Sequence, residues 1–535
     1  MKDADDQRVA VVVTNLQDGL SSFFAVALYL VSEAYMGSFS TITFCAAASV
    51  MGLMLLWVNE TSDSFSHSKY IVYAAIVLLA LGGNGKTLLE DFLEHQLREK
   101  AKKGRAQNTE PNDVCDKILT TIWVFVPRII GYIITVIFVY EYGGEVYVRS
   151  FQFGALLMGA TYLFFYFGYP WYRHENFGFE SNAHKIYRVC RTALRRRKLT
   201  YPTSWDGYYW ENYKQPNLPD RDGHELRLSP QTPRLFRWLD KAAIVKVDVR
   251  PQIEEKKGEL CVVKEVREVK SLVPLICLGY FTFIAYSLLV AAGNTFFVAQ
   301  TKYLQSSFKN DSDITVLFLI QSASLHFSQF ICFLLRLSFP NLKNSNRKAA
   351  TVIRISIGLV CAVICCFRAW KVEVRRWSLI DEKGALQNPD IIIPMTTITL
   401  FPQFILWGLA EGLVEDGLMI LFNEHVAESM RTFEESFSEL GFGIGKLVTL
   451  PLVLIFKIET DKYDQYFLML AVLNIIFLLL FLYYSLRYTY REEYKEDEEI
   501  STEGRVNHSH HMDIEEVSTG EESLALPAGS PRDST

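Results

Sequence analysis

Charged side chains inside long apolar runs are the residues of this chain whose positions most suggest chemistry. Glu411 lies near the middle of the longest run, residues 392–422, and Lys86 closes another in the sequence GGNGKT. A charge in hydrocarbon costs about 2.5 to 3.5 kcal/mol on insertion scales, so such residues usually face a cavity or a partner. A structural charge pair remains the alternative for Glu411, and a lysine that snorkels to the interface the alternative for Lys86.

Other charges fall in comparable positions. Arg128 follows Pro127, whose missing amide donor can open a helix locally, so Arg128 is a candidate cavity residue. Lys446 follows three closely spaced glycines that allow helices to approach, and it can be explained as reaching an interface. Glu415 and Asp416 lie one helical turn beyond Glu411, where they either line the same path or are solvated at the interface.

The sequence around Lys86 also suggests a phosphate-binding loop, but that interpretation fails. The pattern requires glycine five positions before Gly85, where Ala80 stands, and a membrane span rather than a strand precedes it. No nucleophile, base and orienting group occur together at a usable spacing, so we do not expect an enzyme.

The elements that must position these charges are membrane spans. Half of the side chains are apolar and 14% are aromatic, which favours a polytopic all-α membrane protein over a soluble enzyme. Apolar runs of spanning length predict eleven helices, at about 17–31, 39–58, 70–85, 118–140, 150–169, 272–298, 314–335, 351–368, 392–422, 441–456 and 463–486.

A polar central stretch, residues 170–270, divides these spans into five and six. It holds 21 Lys and Arg against 14 Asp and Glu, so the positive-inside rule predicts that it is cytosolic. Its basic segment 191–198 predicts a helical patch that is solvated or faces lipid headgroups rather than nucleic acid. The predicted domains are an N-terminal bundle (1–169), this basic linker, a C-terminal bundle (271–490) and a disordered acidic tail (491–535).

Alternation of the spans predicts which loops lie outside. Asn59 and Asn310 fit the glycosylation pattern and fall in loops predicted to be exterior. The loop 368–390 is also predicted to be exterior, although it carries several basic residues. The same count leaves the first residue outside, which predicts that one helix is missing at the start.

Cysteine and histidine positions predict no metal centre. The nine cysteines show no paired spacing and are interpreted as reduced small hydrophobes. The histidines at 508–511 are best explained as a solvated cluster, with weak metal binding as the alternative. We expect no cofactor and no nucleic-acid partner. The expected partners are the lipid bilayer, a small solute and protons.

Several segments resemble one known family, the proton-coupled oligopeptide transporters with their plant nitrate and peptide branch. They are SEAYMGSF (32–39), LGGNGKTLLEDFLEHQ (81–96), LFRWLDKAAIV (235–245) with LCVVKEVREVK (260–270), and PQFILWGLAEGL (402–413) with AESMRTF (427–433). The resemblance implies a major facilitator fold, in which two helical bundles rock about a site at the bilayer midplane. For Lys86 it implies either a contact with the carboxylate end of the substrate or a part in proton coupling. It implies a contact of Glu411 with the positive end of the substrate, and pocket positions for Asn294 and Phe297.

The departures from the family pattern concern proton coupling and anion binding. The first 40 residues lack the Glu-x-x-Glu-Arg motif of the family's first helix, and Val290 stands near the position of the nitrate-binding histidine. The favoured hypothesis is a secondary carrier of small organic or peptide-like solutes, in the plasma membrane or an endomembrane. The rival is a truncated or degenerate member that binds a ligand or partner without transport.

Overall fold

The computed structural model describes residues 2–61, 69–86, 126–138, 146–172, 182–210, 234–245, 251–273, 286–308, 312–338, 344–383, 392–425, 434–455 and 463–485, with a few positions between them. Fourteen helices are used below. They are α1 (Lys2–Val31), α2 (Gly37–Thr61), α3 (Lys69–Gly82), α4 (Val126–Phe138), α5 (Val146–Phe167), α6 (Asn182–Arg195), α7 (Pro251–Lys256), α8 (Val263–Ser271), α9 (286–299), α10 (Asp313–Ser338), α11 (Asn344–Lys383), α12 (Phe401–His425), α13 (Glu434–Ile455) and α14 (Asp464–Ser485).

Every predicted span overlaps one of these helices. Within the described residues, six helices are long and apolar enough to cross a membrane, and α3 and α4 contribute shorter apolar helices. α2 packs against α3 and α5 in the N-terminal half, and α12 packs between α10 and α11 in the C-terminal half. Helix formation follows from hydrophobicity here, because a backbone in lipid must satisfy its own hydrogen bonds.

The two halves meet along α1 and α13. The α13 glycines permit this contact: a Cβ added to Gly443 would lie 2.3 Å from the Cβ of Ser22. A second contact between the halves joins α4 to α10, where the Tyr132 and His326 rings are 5.8 Å apart. Polar groups on α1 and α10 are therefore held against the opposite half.

A π-helical turn, Ser32–Met36, joins α1 to α2, at the turn predicted for residues 32–39. Gly37 ends it with φ of 79°, a left-handed conformation that glycine adopts without a steric penalty. The backbone N–H of Asn182, the first residue of α6, donates to Glu33 Oε1 at 3.2 Å. This bond ties the central stretch to the membrane-proximal turn.

The central stretch contains a folded module, made of α6, α7, α8 and a 3-10 helix at Arg234–Ala243. Its core includes fully buried Val189, Ala242 and Val266. Two ion pairs are buried in it, Lys270 with Asp240 and Arg196 with Glu254, each at 2.7 Å. The predicted basic patch does begin in a helix, but Arg196 belongs to the module's interior.

The prediction of a loop at residues 368–390 was largely wrong. α11 runs unbroken for 40 residues to Lys383, so the basic residues from 368 to 383 lie on a helix. Arg376 is fully buried and donates to both carboxylate oxygens of Glu373, at 2.8 and 3.0 Å. Arg376, one of the basic residues that seemed out of place in an exterior loop, is therefore part of a buried ion pair.

The span predicted at 392–422 was too long. Its first residues form a short strand, Ile393–Thr396, which pairs in parallel with Leu304–Gln305, and then a 3-10 turn, Thr397–Leu400. The helix α12 begins at Phe401. Hydropathy cannot separate an apolar strand from an apolar helix, which accounts for the error.

The predicted loop position of Asn59 was also wrong. Asn59 lies in the last turns of α2 with its side chain 3% exposed. A glycosyltransferase requires an accessible asparagine, and this one is packed within the helix. Asn310 lies outside the described residues, so its glycosylation stays a prediction.

Candidate functional site

A network of charged and hydrogen-bonding side chains lies between the two halves, which we call the interfacial network. It is defined by nine residues on six segments: Asp18, Lys86, Tyr286, Asn294, Gln321, Glu411, Glu415, Glu439 and Lys446. Asp18 and Lys86 belong to the N-terminal half, and the others belong to the C-terminal half. The network thus contains both signs of charge where the halves meet.

Glu411 lies on the middle of α12, as the sequence predicted. Its carboxylate accepts a short hydrogen bond from the Gln321 side-chain amide on α10. The charges of Glu415 and Lys446 act on it. Close packing fixes this geometry, since a Cβ added to Gly408 would lie 2.1 Å from the Gln321 carbonyl oxygen.

Glu415 follows Glu411 by one helical turn, so both carboxylates lie on the same face of α12. The hydroxyl of Tyr286 on α9 donates to Glu415 Oε1 at 3.1 Å and also interacts with Glu411. The charge of Glu439 on α13 also acts on Glu415. Three carboxylates, those of Glu411, Glu415 and Glu439, therefore interact within the network.

Asp18 connects α1 to the C-terminal half. Its Oδ2 accepts a hydrogen bond from the Asn294 amide at 3.2 Å and lies 3.6 Å from Lys446 Nζ. Asp18, Asn294 and Lys446 come from three different helices. A movement that separates α1 from α9 and α13 must break both contacts.

Lys86 is exposed at the end of the third apolar run and faces the network. Its charge acts on Glu415 and Glu439, which lie on the opposite half. Lys446 is the cation that acts directly on Glu411. Lys86 and Glu411 therefore belong to the same network, and the substrate contacts predicted for them stay a prediction.

Arg128 lies on α4, at the second contact between the halves. Its Nη1 donates to Gln329 Oε1 on α10 at 3.4 Å, and His326 Nδ1 is 3.1 Å from the same oxygen. The structure thus brings Arg128 to the interface between the halves, where it contacts α10, and its predicted substrate contact stays a prediction.

Comparison with known proteins identifies this architecture. Residues 39–467, most of the chain, match the POT family. The chain belongs to the POT family. It is 21% identical to protein NRT1/PTR family 5.4 of Arabidopsis thaliana over 88% of this chain and 86% of that one.

Solved structures of POT family proteins share the fold. The in meso crystal structure of the POT family transporter PepTSo matches with a TM-score of 0.60 at 14% identity, over 90% of each chain. A POT family transporter in complex with 5-aminolevulinic acid matches with a TM-score of 0.51 at 11% identity, over 90% of this chain and 88% of that one. The POT membership confirms the predicted all-α membrane transporter fold.

The pocket position predicted for Phe297 was wrong. Phe297 is fully buried in an aromatic cluster inside the C-terminal half, where its ring contacts those of Phe404, Trp407 and Phe467. The π-helical turn Gly293–Phe297 explains why Phe297 and Asn294, only three residues apart, have different surroundings. This turn directs Asn294 toward Asp18 and Phe297 into the core.

Four residues of the network, Asp18, Tyr286, Gln321 and Glu439, were not named by the sequence reasoning. Asp18 lies in the first predicted span, where an acidic residue was itself a usable signal, and Lys446 was assigned to an interface. Tyr286 gave no signal, because tyrosine is common in apolar runs. Only the packing of α9 against α12 and α13 places its hydroxyl beside two carboxylates.

Proposed function

We propose that this POT family member is a secondary active transporter of small solutes that carry a positive and a negative group. The observation that supports the proposal is the interfacial network, in which Glu411 and Glu415 face Lys86 and Lys446 between two helical halves. A solute carboxylate would pair with a lysine, and a solute ammonium would pair with Glu411. Both charges would then be compensated away from bulk water.

Alternating access follows from the same contacts. Asp18 reaches Asn294 and Lys446 across the α1–α13 contact, while Arg128 reaches Gln329 across the α4–α10 contact. Rocking of one half against the other would open one contact while keeping the other closed. The expected driving force is the proton gradient, consistent with the family.

The substrate class rests on chemistry and on similarity. 5-Aminolevulinic acid, the ligand of one similar transporter, carries an ammonium and a carboxylate group. Dipeptides carry the same two groups at a greater separation. We therefore propose zwitterionic amino acids and short peptides as the first candidates, ahead of nitrate, which offers no positive group to Glu411.

An uptake screen of the full chain in a transport-deficient cell tests the proposal. Dialanine, 5-aminolevulinic acid and nitrate are supplied at acidic external pH, and we expect uptake of a zwitterion. Glu411→Gln should abolish that uptake at unchanged surface expression. Asp416→Asn is the matched control, because Asp416 pairs with Arg354 away from Glu411. Uptake by Glu411→Gln at the wild-type level would remove Glu411 from the site.

A further inference from the structure

The basic residues of α6 and the turn that follows it fall into two sets. Residues 182–198 include seven Lys and Arg and no Asp or Glu. Three of the seven pair with acidic residues of the central module: Lys185 with Glu268 at 4.0 Å, Arg188 with Glu265, and Arg196 with Glu254 at 2.7 Å. The other four, Arg191, Arg195, Arg197 and Lys198, are exposed. The module therefore neutralises one side of this segment and leaves four positive charges on the other side.

These four cations share a groove with two exposed apolar side chains. We call this surface the outer face of α6 and define it by the residues that line the groove, Tyr187, Arg191, Leu194, Arg195, Arg197 and Lys198. None of them is acidic. Tyr187 and Leu194 are 59% and 58% exposed, and their spacing of seven residues places them on the same side of the helix. Exposed apolar side chains among cations are typical of helices that lie in a membrane interface.

Stabilisation of the helix end accounts for only part of this surface. A positive charge near the C-terminus of a helix is favourable, which explains Arg195 in the last turn of α6. The effect decreases within one turn, so it does not explain Arg191. It also gives no reason for Tyr187 and Leu194 to be exposed beside the cations. A partner that carries negative charge and offers an apolar contact accounts for both features.

The start of α6 is fixed close to the membrane. The backbone N–H of Asn182 donates to Glu33 in the turn between α1 and α2. Trp171, which is 81% exposed, precedes α6 in the chain, and tryptophan is enriched at membrane interfaces. α8 packs against α6 and ends at Ser271, directly before the apolar run 272–298. These connections hold the module against the headgroup region of the bilayer.

We propose that the outer face of α6 binds the phosphate groups of anionic lipids in the cytosolic leaflet. The central stretch is predicted to be cytosolic, and that leaflet carries the anionic lipids. The planar guanidinium groups of Arg191 and Arg195 match phosphate oxygens with paired N–H donors. Tyr187 and Leu194 enter the boundary between headgroups and acyl chains. This binding requires neither a transported solute nor a proton gradient, so it does not depend on the proposed function.

Lipid titration of the purified full-length protein in detergent, followed by native mass spectrometry, tests the proposal. The probes are dioleoyl phosphatidylinositol 4-phosphate and dioleoyl phosphatidylcholine, which differ in the charge of the headgroup. We expect the protein to retain the anionic lipid at a far lower concentration than the neutral one. In Arg191→Gln with Arg195→Gln, the apparent affinity for the anionic lipid should fall by roughly 30-fold, because each cation near a membrane surface contributes about a fivefold gain.

Lys257→Gln with Lys264→Gln is the matched control. It removes two exposed cations from the same module and none from the outer face, so the affinity for the anionic lipid should stay at the wild-type level. The ion pairs on the inner side of α6 are untouched in both double variants, and both should remain monodisperse. An equal loss of affinity in the two variants would reduce the effect to net charge and overturn the assignment to the outer face.

Two further arms decide which molecule supplies the negative charge. Leu194→Ser should weaken lipid binding and leave unchanged the binding of inositol 1,4-bisphosphate, which is the same headgroup without acyl chains. If this soluble phosphate binds as tightly as the lipid and Leu194→Ser changes neither affinity, the lipid assignment is wrong. A synthetic peptide of residues 491–535 tests the acidic tail as the occupant. Displacement of the lipid by this peptide at a lower concentration than inositol 1,4-bisphosphate requires would assign the outer face to the tail instead.

A measurement in a bilayer completes the test. Hydrogen exchange of residues 187–198 in nanodiscs should slow when phosphatidylinositol 4-phosphate replaces part of the phosphatidylcholine. This protection should be lost in Arg191→Gln with Arg195→Gln, and it should weaken at high ionic strength because salt screens exposed charges. Equal exchange in both lipid compositions, or a wild type that retains no anionic lipid, would overturn the proposal.

Discussion

Removing Lys270 from the central module is expected to destabilise that module strongly. The Nζ of Lys270 lies 2.7 Å from Asp240 Oδ1, and the two side chains are 1% and 0% exposed. Lys270→Met keeps most of the apolar stem and removes the charge. Asp240 then remains as a buried carboxylate without its nearest cation.

The magnitude follows from the burial of both groups. Removing one partner of a buried pair costs about 3–5 kcal/mol, whereas replacing both by apolar groups is often neutral. Burial raises the pKa of Asp240 even beside Lys270, which means that its ionised form is less stable here than in water. The double variant Asp240→Leu with Lys270→Met should therefore recover most of the loss.

The pH dependence has a definite sign. A carboxyl group whose pKa is higher in the folded state favours folding most at low pH, and this contribution is lost as the pH rises from its ordinary range toward the folded value. In Lys270→Met the neutral acid needs no cation, so the variant should be least impaired at low pH. Its deficit should grow as the pH rises through that window.

Hydrogen exchange of the full-length protein in detergent measures the effect locally. In Lys270→Met, opening of α6 and α8 should become more frequent by roughly 10²- to 10⁴-fold at neutral pH, following from the cost of a broken buried pair. Lys264→Met is the matched control, because Lys264 is exposed on the same helix. A change below about tenfold in Lys270→Met, or a double variant as unstable as the single one, would refute the reasoning.

Three further predictions concern packing and thiol chemistry. Phe297→Ala should lower the free energy of unfolding by about 3–5 kcal/mol and leave unchanged which solutes compete for uptake. Phe327→Ala, at a 59% exposed position, should change neither the stability nor the competition. Altered competition in Phe297→Ala would place Phe297 in the pocket after all. Gly443→Ala should lower uptake by holding α1 away from α13, and Ser22→Gly should restore it, since the added Cβ would lie 2.3 Å from that of Ser22; no effect on uptake would show that the contact tolerates expansion. Burial raises the pKa of the Cys261 thiol to about 11, so maleimide labelling at neutral pH should be slow in the native protein and fast after unfolding, and rapid native labelling would show that the module opens readily.

The sequence predicted the helices well because their signal is local. Each apolar run is near the length needed to cross hydrocarbon and overlaps a helix in the structure. Glu411 was singled out for a similar reason, since a carboxylate near the middle of a long apolar run is conspicuous, and its substrate contact stays a prediction. These inferences need no knowledge of which helices pack together.

The errors arose where packing decides the outcome. Phe297 and Asn294 are three residues apart, and only the π-helical turn determines which of them faces Asp18. Lys446 became a partner of Asp18 only through the α1–α13 contact. The module in the central stretch was not predicted, because its buried ion pairs make a core segment look like a charged linker.

Because α11 is long, a small rotation of the C-terminal half would move the end of this helix by a large distance. Arg354 of α11 pairs with Asp416 of α12. From Arg354 to its end at Lys383, α11 extends about 40 Å at 1.5 Å per residue. A rotation of about 10° would therefore displace its tip by roughly 7 Å, a distance comparable to the shifts seen in domain motions. Spin labels at the exposed positions Lys371 and Arg375 would measure the movement of the C-terminal half and leave every residue of the interfacial network unchanged.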